Sequence, residues 1–187
     1  MLKAYAEEFA KRGIFLVLIS RSYEKLTSQS IYLSLFIASI KYPGLQTKII
    51  PIDFTAPPQS IYPQIESEIS DLEIGILVNN VGVGHWVQYF HDFASSSGAA
   101  IEELVACNVL ACTKMTAIVL PKMLGREKGL IINLSSTLGR FPTPLMSAYS
   151  ASKAYVDFFS RSLMGEYANK VRFKSYSTVF NVFKKVF

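Results

Sequence analysis

Tyr149 and Lys153 stand four residues apart near the head of a helical pattern over 146–167, so their side chains leave one face about one turn apart. Ser136 lies across a loop, just past the apolar run 130–134. A phenol, an ammonium and a hydroxyl can therefore converge on one point. A phenol ordinarily titrates near ~10 and is a poor acid or base at neutrality. A nearby ammonium favours the phenolate and brings that value down. In such a set lysine tunes, tyrosine moves the proton and serine holds a carbonyl or hydroxyl oxygen. The chemistry it suits is hydride transfer at a C–O centre, with the hydride supplied by a nicotinamide. A tyrosine and a lysine at this spacing are also common on helices without chemistry, so the elements around them must decide.

The 187 residues leave room for one domain with a sizeable core. Half the chain is apolar, with 13 Phe and 10 Tyr, which excludes a disordered chain. The net charge of +5 suits phosphate-bearing partners, but the basic residues are scattered, which argues against nucleic acid. Cys107 and Cys112 form neither a disulfide framework nor a metal-ligand spacing, and read as helix residues of a reduced protein. His85 and His91 have no third ligand in view, so no metal is expected. No signal peptide is visible, and no unbroken apolar run reaches the ~18 residues that cross a bilayer.

Apolar strands alternate with amphipathic helices along the chain, the rhythm of an α/β fold with a parallel sheet. A helical stripe from Leu2 to Ala10 is closed by Gly13, and 14–19 is a continuous apolar strand. Arg21 follows it, where dinucleotide folds choose their ribose. With no carboxylate before Glu24, NADP(H) is preferred to NAD(H), although a plain surface arginine fits equally well. The segment 25–40 is unusually apolar, and reads either as a membrane- or partner-facing patch or as an error in the gene model.

A second strand spans 47–52 and ends at Asp53, which on its own is a turn cap. A short helix is expected over 60–71 and a strand over 74–78. Asn79-Asn80-Val81-Gly82 follows that strand at its carboxyl end, a ligand-facing position in this topology. There Asn80 and Gly82 are assigned to cofactor support and Asn79 to bracing neighbouring strands. The aromatic stretch 85–98 reads as a loop roofing the substrate. Asn108 lies in the long helix 101–120, and an amide in an apolar stripe needs a partner.

Tyr149-Ser150-Ala151-Ser152-Lys153, with Ser136 before it and Asn79-Asn80-Val81-Gly82 further back, resembles the short-chain dehydrogenase/reductase family. The stretches 73–82 and 155–160 are similar to the branch of very-long-chain 3-oxoacyl-CoA reductases and 17-beta-hydroxysteroid dehydrogenases of types 12 and 3. The likeness runs from about Leu2 to Arg172.

It implies a Rossmann-like, doubly wound parallel sheet forming a single partial NAD(P)-binding domain over 1–187. Asn108, Ser136, Tyr149 and Lys153 would be catalytic, Asn108 holding a water that relays protons to the lysine. Arg21, Asp53, Asn80, Gly82, Tyr149 and Lys153 would hold NADP(H), Asp53 at the adenine. The activity implied is reduction of a 3-oxoacyl-CoA, or of a 17-keto steroid. The resemblance also implies membrane association at the endoplasmic reticulum and a homodimer through helices 101–120 and 147–167.

The pattern breaks at both ends. No glycine precedes Gly13, so the first central strand and the glycine-rich pyrophosphate turn are expected to be missing. That loss would leave a gap in the sheet between the strands 14–19 and 74–78 and should impair folding. After the strand begun at Val171, the family's C-terminal elements have no counterpart. The run 180–187 reads as a membrane-touching tail or as translated intron or frameshifted sequence. The competing reading is thus an inactive, truncated member that binds at most a lipid or a partner. A third reading, a serine hydrolase, is disfavoured, since Ser136 lacks a nucleophile-elbow pattern and neither histidine is placed as its base.

Overall fold

The structure, a computed structural model, describes residues 2–21 and 46–178. It comprises two compact units, Met1–Ser70 and Asp71–Phe187. The apolar segment 25–40 and the tail 180–187 lie outside the described residues.

In the first unit, helix α1 (Leu2–Lys11) leads into strand β1 (Leu16–Ser20), followed by β2 (Thr47–Pro51) and helix α2 (Pro58–Glu68). Ala6 and Ala10 pack with Phe9 against Leu16 and Leu18, so the small residues of the helical stripe let the helix lie close on the strand. On the outer face of α1, Arg12 pairs with Glu8 at 2.7 Å, four residues back. β1 and β2 are parallel, Leu16 opposite Thr47 and Ser20 opposite Pro51. α2 starts a little before the expected Ser60 because Pro58 suits a first helical turn, where its missing N–H costs nothing. It buries Ile61, Tyr62 and Ile65.

The second unit opens with β3 (Ile76–Asn79) and helix α3 (Phe90–Ser95). Helix α4 (Ala100–Val105), a π-helical turn (Ala106–Leu110) and helix α5 (Ala111–Gly125) then run on as one rod. Strand β4 (Leu130–Ser136), a 3-10 turn (Thr137–Gly139), helix α6 (Ser147–Glu166) and strand β5 (Arg172–Thr178) complete it. The three strands are parallel in the order β3-β4-β5, with Asn79 opposite Asn133 and Ser136 opposite Thr178. β4 is central, and 131–136 are buried without a break, as its apolar run predicts. The described strands form two parallel sheets, β1-β2 in the first unit and β3-β4-β5 in the second.

A chain of buried amides and hydroxyls ties helices to strands in this unit. Asn79 Nδ2 donates to Thr116 Oγ1 at 3.2 Å and to Asn133 Oδ1 at 2.8 Å. Asn133 Nδ2 donates in turn to Ser160 Oγ at 2.8 Å, and Ser160 to the Val156 carbonyl at 2.6 Å. The bracing role expected of Asn79 is therefore visible as one continuous network from α5 through β3 and β4 to α6.

Two expectations are corrected. The stretch 85–98 is not all loop: α3 forms in it, anchored by the buried side chain of Phe93. The helix Ala100–Gly125 is also long and apolar enough, by length and composition alone, to cross a membrane, with half of its most apolar window buried in the fold. Counting only unbroken apolar residues passes over it, because Asn108 and Lys114 interrupt the run. Both cysteines lie buried on this rod and neither is in a disulfide.

Candidate active site

Ser136 ends β4, and Tyr149 and Lys153 occupy the first two turns of α6. The hydroxyl of the neighbouring Ser135 donates to the carbonyl of Lys153 at 2.7 Å, which fixes the head of α6 against the end of β4. Ser136 is fully buried; its Oγ accepts from the Leu138 N–H at 3.2 Å and is hydrogen-bonded to the Tyr149 side chain. Tyr149 is 1% exposed and packs with Phe93, Leu104 and Met146. Lys153 Nζ donates to the Leu134 carbonyl at 3.0 Å and lies 5.9 Å from the centre of the Tyr149 ring.

Burial sets the electrostatics. It raises the Tyr149 phenol above its ordinary value, the Ser136 hydrogen bond acting the other way. It lowers Lys153, with the neighbouring Cys112 opposing, and pushes the Cys112 thiol up to about 12 despite the pull of Lys153. The expectation that lysine draws the phenol down is therefore corrected: burial outweighs the Ser136 hydrogen bond and leaves the phenol raised. Its proton is held at neutral pH.

Asn108 sits in the π-helical turn, and the extra residue of that turn aims the amide at the loop after β3. Its Oδ1 accepts from the Val83 N–H at 2.7 Å. Its Nδ2 donates to the Val83 carbonyl at 2.9 Å and to Ser152 Oγ at 3.0 Å. Ser152 passes the connection on, donating to the Tyr149 carbonyl at 2.7 Å. Gly82 lies beside this junction: a Cβ there would meet Asn108 Oδ1 and Lys153 Nζ, each at 3.2 Å. Asn80 is half-buried directly beyond β3.

The structure thus brings Gly82, Asn108, Ser136, Tyr149 and Lys153 together, with Asn80 at the adjoining strand end. Arg21 and Asp53 belong to the first unit, just past the carboxyl ends of β1 and β2, where the Ile52 N–H donates to the Ser20 carbonyl at 3.0 Å. Asp53 Oδ1 accepts from Thr55 N at 2.9 Å and Thr55 Oγ1 at 2.8 Å, the turn-capping arrangement. Burial is the largest influence on its carboxyl and raises it. The two Thr55 bonds and the Arg21 charge together outweigh that and hold it below its ordinary value.

Sequence reasoning missed Ser152, whose partners Asn108 and Tyr149 become neighbours only on folding. It also missed Leu145, which takes a left-handed backbone (φ 65) one residue before Met146, while its carbonyl accepts from the Gln88 N–H at 3.1 Å. No residue type signals that position, since leucine disfavours it.

The site holds a buried amine, a phenol and a close glycine backbone at the carboxyl end of a parallel strand. That donor set fits a hydroxyl-rich ribose, and the topology is that of the Rossmann-like α/β class. A family model described as short chain dehydrogenase matches residues 3–179. Very-long-chain 3-oxoacyl-CoA reductase of Anas platyrhynchos is 45% identical over 169 residues, covering 90% of this chain and 52% of the relative. The Homo sapiens protein of the same name is 44% identical over 170 residues, covering 90% and 51%. The chain spans about half the length of the curated relatives it matches. A short-chain dehydrogenase from Sphingobium yanoikuyae, solved in complex with NADPH, is 29% identical with a TM-score of 0.80, over 94% of this chain and 65% of that one. The bulky-bulky ketone specific alcohol dehydrogenase from Comamonas testosteroni, in its tetragonal crystal form, is 28% identical with a TM-score of 0.82, over 95% and 69%. The chain belongs to the short-chain dehydrogenase/reductase family.

Proposed function

We propose that this chain carries the proton-transfer centre of an NADP(H)-dependent oxidoreductase that reduces the keto group of a 3-oxoacyl-CoA. One observation carries the reading: a buried Tyr149 hydrogen-bonded to Ser136, with the Lys153 amine 5.9 Å from its ring. A bound nicotinamide would supply hydride. Tyr149 keeps its proton at neutral pH and gives it to the oxygen that gains charge, a far stronger base than the phenolate left behind. Ser136 holds that oxygen, and Lys153 holds the ribose hydroxyls. Asn108 fixes the Val83 backbone and serves the proton relay to Lys153, while Asn80 and Gly82 line the cofactor's path. Arg21 takes the 2′-phosphate and Asp53 the adenine.

The substrate class is supported by the names of the relatives, NADP(H) by the NADPH complex of the Sphingobium protein and by Arg21. With that substrate we place the protein at the endoplasmic reticulum membrane, as a homodimer through the rod Ala100–Gly125 and α6. Carbonyl-dependent oxidation of NADPH, with a long-chain 3-oxoacyl-CoA and a 17-keto steroid compared, tests the reading. Tyr149→Phe is expected to lose about 10²–10⁴-fold in turnover. Full turnover in that variant overturns the assignment.

A further inference from the structure

Among the described residues, the left-handed backbone region is occupied outside glycine by Glu127 (φ 50) and Leu145 (φ 65). Glu127 stands just past the end of α5, where the Lys128 N–H returns to the Met123 carbonyl at 3.1 Å, a usual place for that conformation. Leu145 has no helix to end. It is third in the turn 143–146, which the Met146 N–H closes on the Thr143 carbonyl at 3.2 Å, with Pro144 second. Proline second and positive φ third is the pattern of a type II turn, and that third place ordinarily takes glycine or asparagine. A leucine there costs free energy, and at 38% exposed it is not a core side chain whose packing would hold it.

The strained turn fixes a second segment. The Leu145 carbonyl accepts from the Gln88 N–H at 3.1 Å, far along the loop that leaves β3. The near end of that loop is tied at Val83 by Asn108, at 2.7 and 2.9 Å, and Gly82 just before it runs against Lys153. Beyond Gln88 the chain enters α3, whose Phe93 packs with Tyr149. Met146, the neighbour of Leu145, belongs to the same buried cluster. The loop 83–88 therefore borders the phenol and the amine, with one tie to Asn108 and the other to the turn.

We infer that Leu145 is a positioning residue of the candidate site: the ease with which residue 145 turns left-handed sets how firmly the loop 83–88 is latched beside Tyr149, and so how well a substrate is received there. This rests on the reductase reading of the site. The latch acts through the Gln88 backbone and needs no contact between the leucine side chain and substrate.

Three substitutions grade that ease. Leu145→Gly and Leu145→Asn accept a positive φ, whereas the β-branched Leu145→Val resists it. Amide hydrogen exchange at Gln88, read by NMR on the full chain without substrate, should slow about threefold to tenfold in the Gly and Asn variants and quicken about tenfold in the Val variant. Exchange at Ile132, in the central strand β4, reads the whole fold and separates a loosened latch from a variant that folds poorly. Trp86, the single tryptophan, lies inside the loop, so its fluorescence anisotropy should fall in Leu145→Val alone. In turnover, Leu145→Val should raise KM for a long-chain 3-oxoacyl-CoA about tenfold with kcat within about twofold, and Leu145→Asn should keep the parent KM or lower it. Equal Gln88 exchange relative to Ile132 in the parent and all three variants overturns the inference, as does an unchanged KM in Leu145→Val. A parent chain without carbonyl-dependent NADPH oxidation would sink the reductase reading alone, and the order of the Gln88 exchange rates would still decide the latch.

Discussion

The backbone of Gly82 runs so close to Lys153 that one added methyl group would sit 3.2 Å from the amine, and at the same distance from the Asn108 amide oxygen. Neither neighbour is at liberty to withdraw, since Nζ is held on the Leu134 carbonyl and the amide on Val83. Gly82→Ala should therefore move the amine by a few tenths of an ångström while leaving the fold intact. The expected outcome is a loss of about tenfold in kcat/KM for carbonyl reduction with little change in Tm. An unchanged kcat/KM would show that the amine's position is not critical.

The raised phenol of Tyr149 fixes the sign of the pH response. Reduction needs the protonated phenol and oxidation the phenolate, so reduction should hold level through neutrality and fall only above the ordinary value of 10.0, while oxidation rises there. Stability follows the same proton. A folded value above the ordinary one contributes stability that is present below pH 10.0 and is lost as pH rises through the folded value. Lys153 has the opposite sign, its folded value being lowered from 10.5 by burial, so its contribution grows as pH rises through the lowered folded value and is complete above 10.5. Tyr149→Phe should then show a smaller alkaline loss of stability than the parent, measured by urea unfolding at pH 8 and above 10. A reduction rate that declines between pH 6 and 8 would contradict the raised phenol.

The chemistry was legible where it depended on spacing alone. Tyr149 and Lys153 share a face because a helix repeats every 3.6 residues, and β4 was legible because 130–134 is apolar throughout. Asn108 was legible as an amide in need of a partner, but that partner is the backbone of Val83, to which any residue type would have contributed equally. The depressed phenol was a mistaken expectation because spacing says nothing of burial, and burial dominates here. Helix α5 runs on through Pro121 to Gly125, five residues past the expected helix 101–120. Met123 beyond it is fully buried, so packing holds the last turn in place against the missing hydrogen bond.

Asn108→Leu separates the clamp from the shape. Leucine is close in volume but forfeits three hydrogen bonds, two of which satisfy both backbone groups of Val83. Each orphaned polar group in such a setting costs roughly 1–3 kcal/mol, so the variant should lose about 2–4 kcal/mol in urea unfolding. A loss under about 0.5 kcal/mol would mean that solvent reaches Val83 and that the clamp is not needed.

Cys112 offers a clock for the opening of this region. Burial pushes its thiol up to about 12, and the group lies on the rod beside the Lys153 amine. Only thiolate attacks a disulfide reagent, and at pH 8 the thiolate of such a group is about one part in 10⁴. The buried sulfur must also be exposed first. Cys112 should thus react orders of magnitude more slowly than a free thiol in the native protein and at full speed in denaturant, followed by release of a coloured thiol. Because Cys112 and Lys153 are coupled, any ligand that tightens the Lys153 region should slow the reaction further, in proportion to its occupancy. Native labelling at the free-thiol rate would mean that the helix does not pack over the amine, and the site drawn around Lys153 would lose its wall.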